Sequence, residues 1–169
     1  VMNMASYFRK SPKDMMGGVM ALKAAGMGTA EALSLVQSTM DLSTLRPDSD
    51  VKSLITQLGQ VKSKGKLMTE ELMVLAESGG LAMGRVKEAL VGVLGLGKVD
   101  TKSLEKVQKL LGGGKITADQ GIAAVQHAIM SLTGTQRAGE YAEKARDSVG
   151  SLIQGLKAAP EQFLLRMSV

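Results

Sequence analysis

The sequence predicts an all-α protein: several short amphipathic helices in a compact bundle joined by Gly-Lys turns, followed by a longer C-terminal helix. Three observations predict it. Apolar residues recur at helical spacing, most clearly at Val51, Leu54, Ile55, Leu58 and Val61. Apolar residues make up 44% of the chain and aromatics 2%, so the core is built from Leu, Val, Ile, Met and Ala. One local design appears three times, as Gly65-Lys66 with Thr69, Gly97-Lys98 with Thr101, and Gly114-Lys115 with Thr117. In each, a Gly free to adopt left-handed backbone stops a helix, a Lys follows, and a Thr stands where the N-cap of the next helix is expected. Thr117 with Gln120 has capping-box spacing, and Glu70 and Glu71 suit the positive end of a helix dipole.

In chain order, Ser11-Pro12-Lys13-Asp14 reads as a helix start, with Ser11 as cap and Pro12 at the first helical position. Met15, Met16, Val19, Met20 and Leu22 form its apolar side, which serves as core, partner surface or membrane-surface segment; Gly26 and Gly28 close it. A second helix is expected from Thr29 to Met40, and Leu45-Arg46-Pro47-Asp48 reads as a linker. Five further helices are expected at Val51 to Val61, Glu70 to Ser78, Ala82 to Leu94, Lys102 to Leu111 and Ala118 to Leu132. Their connections are too short for anything but close neighbours. Uneven spacing of the Gly-Lys turns disfavours a solenoid. After Gly134 a longer helix is expected from Arg137 to Lys157, with Tyr141, Ala145, Val149, Leu152, Ile153 and Leu156 as an apolar seam. Such a seam packs on the bundle or on a copy of itself. The chain thus divides into an N-terminal helical segment at 1–47, partner-binding or extended, a bundle at 48–134, and a C-terminal helix with an apolar tip at 135–169.

Charge and chemistry narrow the function classes. The net charge is +5, with 21 Lys and Arg interspersed among 16 Asp and Glu, so small basic groups such as Lys98, Lys102, Lys106 and Lys109 read as solvated helix faces. Tyr7, Phe8, Tyr141 and Phe163 lie too far apart in the chain for a single-strand stacking platform. The longest uncharged apolar run, Ala89 to Gly97, is too short to span a bilayer. There is no Cys, so thiolate and disulfide chemistry are absent. Gly112 to Thr117 is not a phosphate loop: Lys109 stands where the first Gly belongs and Ile116 where the Ser or Thr belongs. His127 is the one histidine, without a partner for a nucleophilic triad or a multi-histidine metal site. Glu70 and Glu71 are better explained as helix-start charges than as glycosidase acids. The reading is of a non-enzyme with no cofactor and no metal.

Lys64-Gly65-Lys66-Leu67-Met68-Thr69-Glu70-Glu71-Leu72, then Leu75-Ala76-Glu77-Ser78-Gly79-Gly80, then Gly114-Lys115-Ile116-Thr117-Ala118-Asp119-Gln120-Gly121-Ile122-Ala123-Ala124 together carry a family pattern. These blocks, with the downstream Ser148 to Lys157, resemble a helical region of tailed-bacteriophage tail tape measure proteins, over about residues 48–163. One departure is Gly79-Gly80-Leu81, where the family leads one to expect Gly-Ile-Pro. The resemblance implies a structural protein of a phage tail. Such proteins set tail length, sit in the tail tube or tip, and leave at DNA ejection. It implies partners as well: self-association, often in three copies, with tube, tail-tip or baseplate hub proteins, assembly chaperones and contact with the host envelope. Family chains are usually longer, and the first residue here is Val, so a segment of a larger protein is expected. The alternative is a stand-alone basic helical adaptor for a protein partner or anionic surface.

Overall fold

The computed structural model describes residues 12–135, and these form an all-α fold with one two-residue strand pair. The helices are α1 (Pro12–Ala24), α2 (Thr29–Leu45), α3 (Val51–Lys64), α4 (Thr69–Gly79), α5 (Met83–Val93), α6 (Thr101–Gly112) and α7 (Ala118–Thr133). Strands β1 (Lys66–Leu67) and β2 (Ile116–Thr117) lie between α3 and α4 and between α6 and α7. The five helices expected after Asp48 are present with ends shifted by a few residues. Ser11 as a cap and the seam of Tyr141, Val149, Leu152, Ile153 and Leu156 lie outside the described residues.

Helix α7 is the central element, packed against α2, α3, α5 and both strands. Its sequence allows this: Ile122, Ala124, Val125, Ala128 and Ile129 are all buried, and the alanines among them let neighbouring helices come close. Around it, Leu35, Val36 and Leu42 of α2, Leu54 and Leu58 of α3, Leu72 and Leu75 of α4, Val86 and Leu90 of α5, and Val107 and Leu111 of α6 complete one cluster. Val19 and Leu22 of α1 and Met27 after it belong to the same cluster, so the described part of the N-terminal segment packs with the bundle.

Helix α2 runs to Leu45, beyond the expected end near Met40. The extra turns are rich in Ser and Thr, whose hydroxyls return to helix carbonyls instead of competing with the helix. Ser43 Oγ donates to the Met40 carbonyl at 2.7 Å and Thr44 Oγ1 to the same carbonyl at 3.0 Å. Leu45 to Asp48, expected as a linker, is instead a helix end and a tight turn fastened to α4. The Arg46 guanidinium donates to the Gly80 carbonyl, the Asp50 amide to the Ser78 carbonyl at 3.0 Å, and Ser53 and Ser78 hydroxyls meet at 3.1 Å. These bonds hold the corner at Pro47 against the end of α4.

Candidate functional site at the paired Gly-Lys turns

Two of the three Gly-Lys turns meet in space. Lys66 pairs with Thr117 and Leu67 with Ile116 in antiparallel register, and the Ala118 amide donates to the Gly65 carbonyl at 3.0 Å. The chemistry of each turn explains why. Gly65 (φ +75°) and Gly114 (φ +61°) turn the chain out of α3 and α6 through left-handed backbone, so the next residues run extended before α4 and α7 begin. Each Lys points to solvent and each following Leu67 or Ile116 points inward, fully buried. Two unpaired extended segments beside each other satisfy their backbone groups by pairing.

The third turn stands apart. Gly97 is also left-handed (φ +86°), but Val99 behind Lys98 is 53% exposed, and no strand forms there. Helix α5 has already ended at Val93, so Gly97 lies inside a loop rather than stopping the helix. Leu67 and Ile116 were legible as apolar residues following Gly-Lys, yet Val99 shares that feature. What separates them is tertiary.

The N-caps divide differently from the expectation. Thr117 is the cap of α7 as its spacing predicts: its Oγ1 accepts from the Gln120 amide at 3.2 Å, and Gln120 Oε1 accepts from the Thr117 amide at 3.0 Å. Thr69 and Thr101 are corrected to first helical residues, with Met68 and Asp100 as caps. Asp100 wins over Thr101 because its carboxylate reaches the Ser103 amide at 2.8 Å while Ser103 Oγ accepts from the Asp100 amide at 2.9 Å. At α4 the Glu71 carboxylate accepts from the amide of the N-cap residue Met68 at 3.1 Å, the half of a capping box that the N3 side chain supplies.

Ion pairs tie the joint to its surroundings. Lys62 Nζ lies 2.6 Å from Asp119 of α7 and 3.5 Å from Glu31 of α2, so one ammonium connects three helices. The Asp119 hydrogen bond raises the Lys62 pKa above its ordinary value against the opposing effect of burial, and Glu31 adds to the rise. Lys64 Nζ lies 2.6 Å from Glu71 and lowers its pKa, again against burial. Gly121 on α7 faces Leu67 so closely that a Cβ there would lie 2.7 Å from Leu67 Cδ2 and 2.9 Å from its Cβ. The joint therefore depends on a residue that the sequence pattern presents only as one more glycine.

Gly65 and Glu71 have the spacing of the invariant Gly and closing Glu of a calcium loop. The earlier ligand places fall at Gln60, Lys62 and Lys64, inside α3 and mostly basic, and the Glu71 carboxylate is held by the Lys64 ammonium. Among the described residues no group of three or more His, Asp or Glu is arranged to hold a metal. A groove of about 380 Å³ between α5 and α7 is lined by Arg85, Glu88, Ala89, His127, Ala128, Met130 and Ser131. No hydrogen bond among the described residues joins His127 to Glu88 or Ser131, so the groove has no relay of acid, imidazole and hydroxyl. Among the described residues no helix is long and apolar enough to cross a membrane. No protein-family model, curated protein or solved structure matches the chain. What distinguishes the site is thus its architecture, a strand-paired, ion-paired joint at the start of the central helix, with Leu67 and Ile116 inside and its lysines in solvent.

Proposed function

We propose that this chain is a segment of a phage tail tape measure protein, a non-enzymatic structural element that occupies the tail tube or tail tip. It acts there in a few copies, set against tube, tip or hub proteins and handled by assembly chaperones, until DNA ejection releases it. One observation carries the reading: two of the sequence blocks that resemble the family, 64–72 and 114–124, are the ones from which the joint is made. Gly65-Lys66-Leu67 and Gly114-Lys115-Ile116, separated in sequence, pair with one another, and Gly121 of the second block makes room for Leu67 of the first. Two blocks that fit each other this closely support a resemblance of whole folded units rather than of common helical residues. The mechanical demand on a length-setting protein, many helices held in order without a catalytic centre, is compatible with the bundle.

The test is quantitative mass spectrometry of purified virus-like particles from the source, counting peptides of this chain against those of the tail tube protein. A few copies per tail, with peptides from a longer parent chain, are expected. Absence from particles defeats the reading and leaves the stand-alone adaptor.

A further inference from the structure

The outward faces of α4 and α6 carry complementary patterns at matched spacing. On α4, Glu70, Met73, Val74 and Glu77 fall on one exposed side, and Met73 and Val74, 47% and 39% exposed, are among the largest apolar side chains left on the surface. On α6, Lys102, Lys106 and Lys109 form a row, exposed throughout, with the equally exposed Glu105 in the place that Met73 holds on α4. The two acids and the outer two lysines are each seven residues apart, about 10 Å along a helix and close to two turns. None of these six charged residues takes part in an ion pair among the described residues, where Lys62 and Lys64 take up Glu31, Asp119 and Glu71 instead.

We propose that copies of this chain associate by docking the α4 face of one on the α6 face of another. Laid antiparallel, Glu70 meets Lys109 and Glu77 meets Lys102, while the methylene stems of Glu105 and Lys106 cover Met73 and Val74 and their charged ends stay in water. A second copy fits better than an unrelated acidic protein because the matching spacing is present twice in the same chain, once in each sign. The contact is small, so the association is weak and salt-sensitive. This inference stands on α4 and α6 and does not depend on the phage reading.

The experiment is sedimentation velocity of the full chain over a concentration series at low and high salt, with charge-reversed variants. All substituted residues are surface residues, and circular dichroism melts check that each variant folds. The reversals Glu70→Lys with Glu77→Lys, and separately Lys102→Glu with Lys109→Glu, are each expected to weaken self-association tenfold or more, since attraction becomes like-charge repulsion. An equimolar mixture of the two variants, and the chain carrying all four reversals, are expected to regain it. A chain that stays monomeric up to about 1 mM, or associates equally well with either pair reversed, overturns the proposal.

Discussion

Gly121→Ala places the closest test on the joint. The added methyl would lie 2.7 Å from Leu67 Cδ2, 2.9 Å from Leu67 Cβ and 3.3 Å from Leu67 Cγ. Leu67 has little freedom to retreat, because it is fully buried and its backbone is held in register with Ile116. Overpacking of this kind costs about 1–3 kcal/mol. Ala gains about 1 kcal/mol over Gly in a helix interior, which offsets part of that cost. The net expectation is a loss of roughly 0–2 kcal/mol. Gly92 on α5 provides the control, since a Cβ there meets nothing within 4 Å. Gly92→Ala should therefore gain about 0.5–1 kcal/mol. With two Tyr and no Trp in the chain, far-ultraviolet circular dichroism during urea unfolding is the suitable readout. Stability is compared at unchanged m. If Gly121→Ala stabilises as much as Gly92→Ala, Leu67 yields freely and the close fit of the two turns has no energetic weight. Adding Leu67→Ala to Gly121→Ala should remove the contacts at Cδ2 and Cγ and leave only the one at Cβ, so the double variant loses less than the two single losses combined.

Two further results follow from the caps and the ion pairs. Thr117→Ala should cost about 1 kcal/mol by urea unfolding, as should Asp100→Ala, whereas Thr69→Ala and Thr101→Ala should stay within about 0.5 kcal/mol because neither Thr caps a helix. The Lys64 hydrogen bond lowers the Glu71 pKa below its ordinary 4.5, so its stabilising contribution is present above that pH and is lost as pH falls through the depressed value. Glu71→Gln should flatten that acid limb in urea midpoints measured against pH. Lys62 runs the other way: raised above 10.5 chiefly by Asp119, its contribution is present below that pH and is lost as pH climbs through the raised value. Lys62→Met should flatten the alkaline limb in the same assay.

The part of the fold legible in the sequence was the part that local chemistry decides. Apolar spacing located α3 to α7, and Thr117 with Gln120 announced its capping box. The rest depended on distant partners. Nothing local marks Lys66 and Thr117 as neighbours, because each short strand exists only in the presence of the other. Gly121 looks ordinary until Leu67 lies against it. Nothing local marks the Ser34 and Ser38 hydroxyls as partners of Gln126 of α7, whose Nε2 lies 2.7 Å and 3.1 Å from them. Arg46 reads as linker charge until its guanidinium finds the Gly80 carbonyl. Misplaced caps at α4 and α6 have a simpler cause: two cap-forming residues stood side by side at Asp100-Thr101, and at α4 the helix begins one residue early, with Met68 as N-cap and Glu71 reaching back to its amide.

Joining Lys66 to Thr117 also imposes an order in time. A ribosome delivers α1 to α3 first, but β1 has no partner until α4, α5 and α6 have been made and Ile116 has emerged. Closing so long a loop is entropically slow compared with forming a local helix. Until then Leu67 has neither Ile116 nor α7 to cover it, and much of the core of the early helices faces water. The nascent chain is therefore most vulnerable to aggregation and proteolysis just before its last described helix appears, and a truncation anywhere ahead of Thr117 leaves α2, α3 and α5 without the helix they pack on.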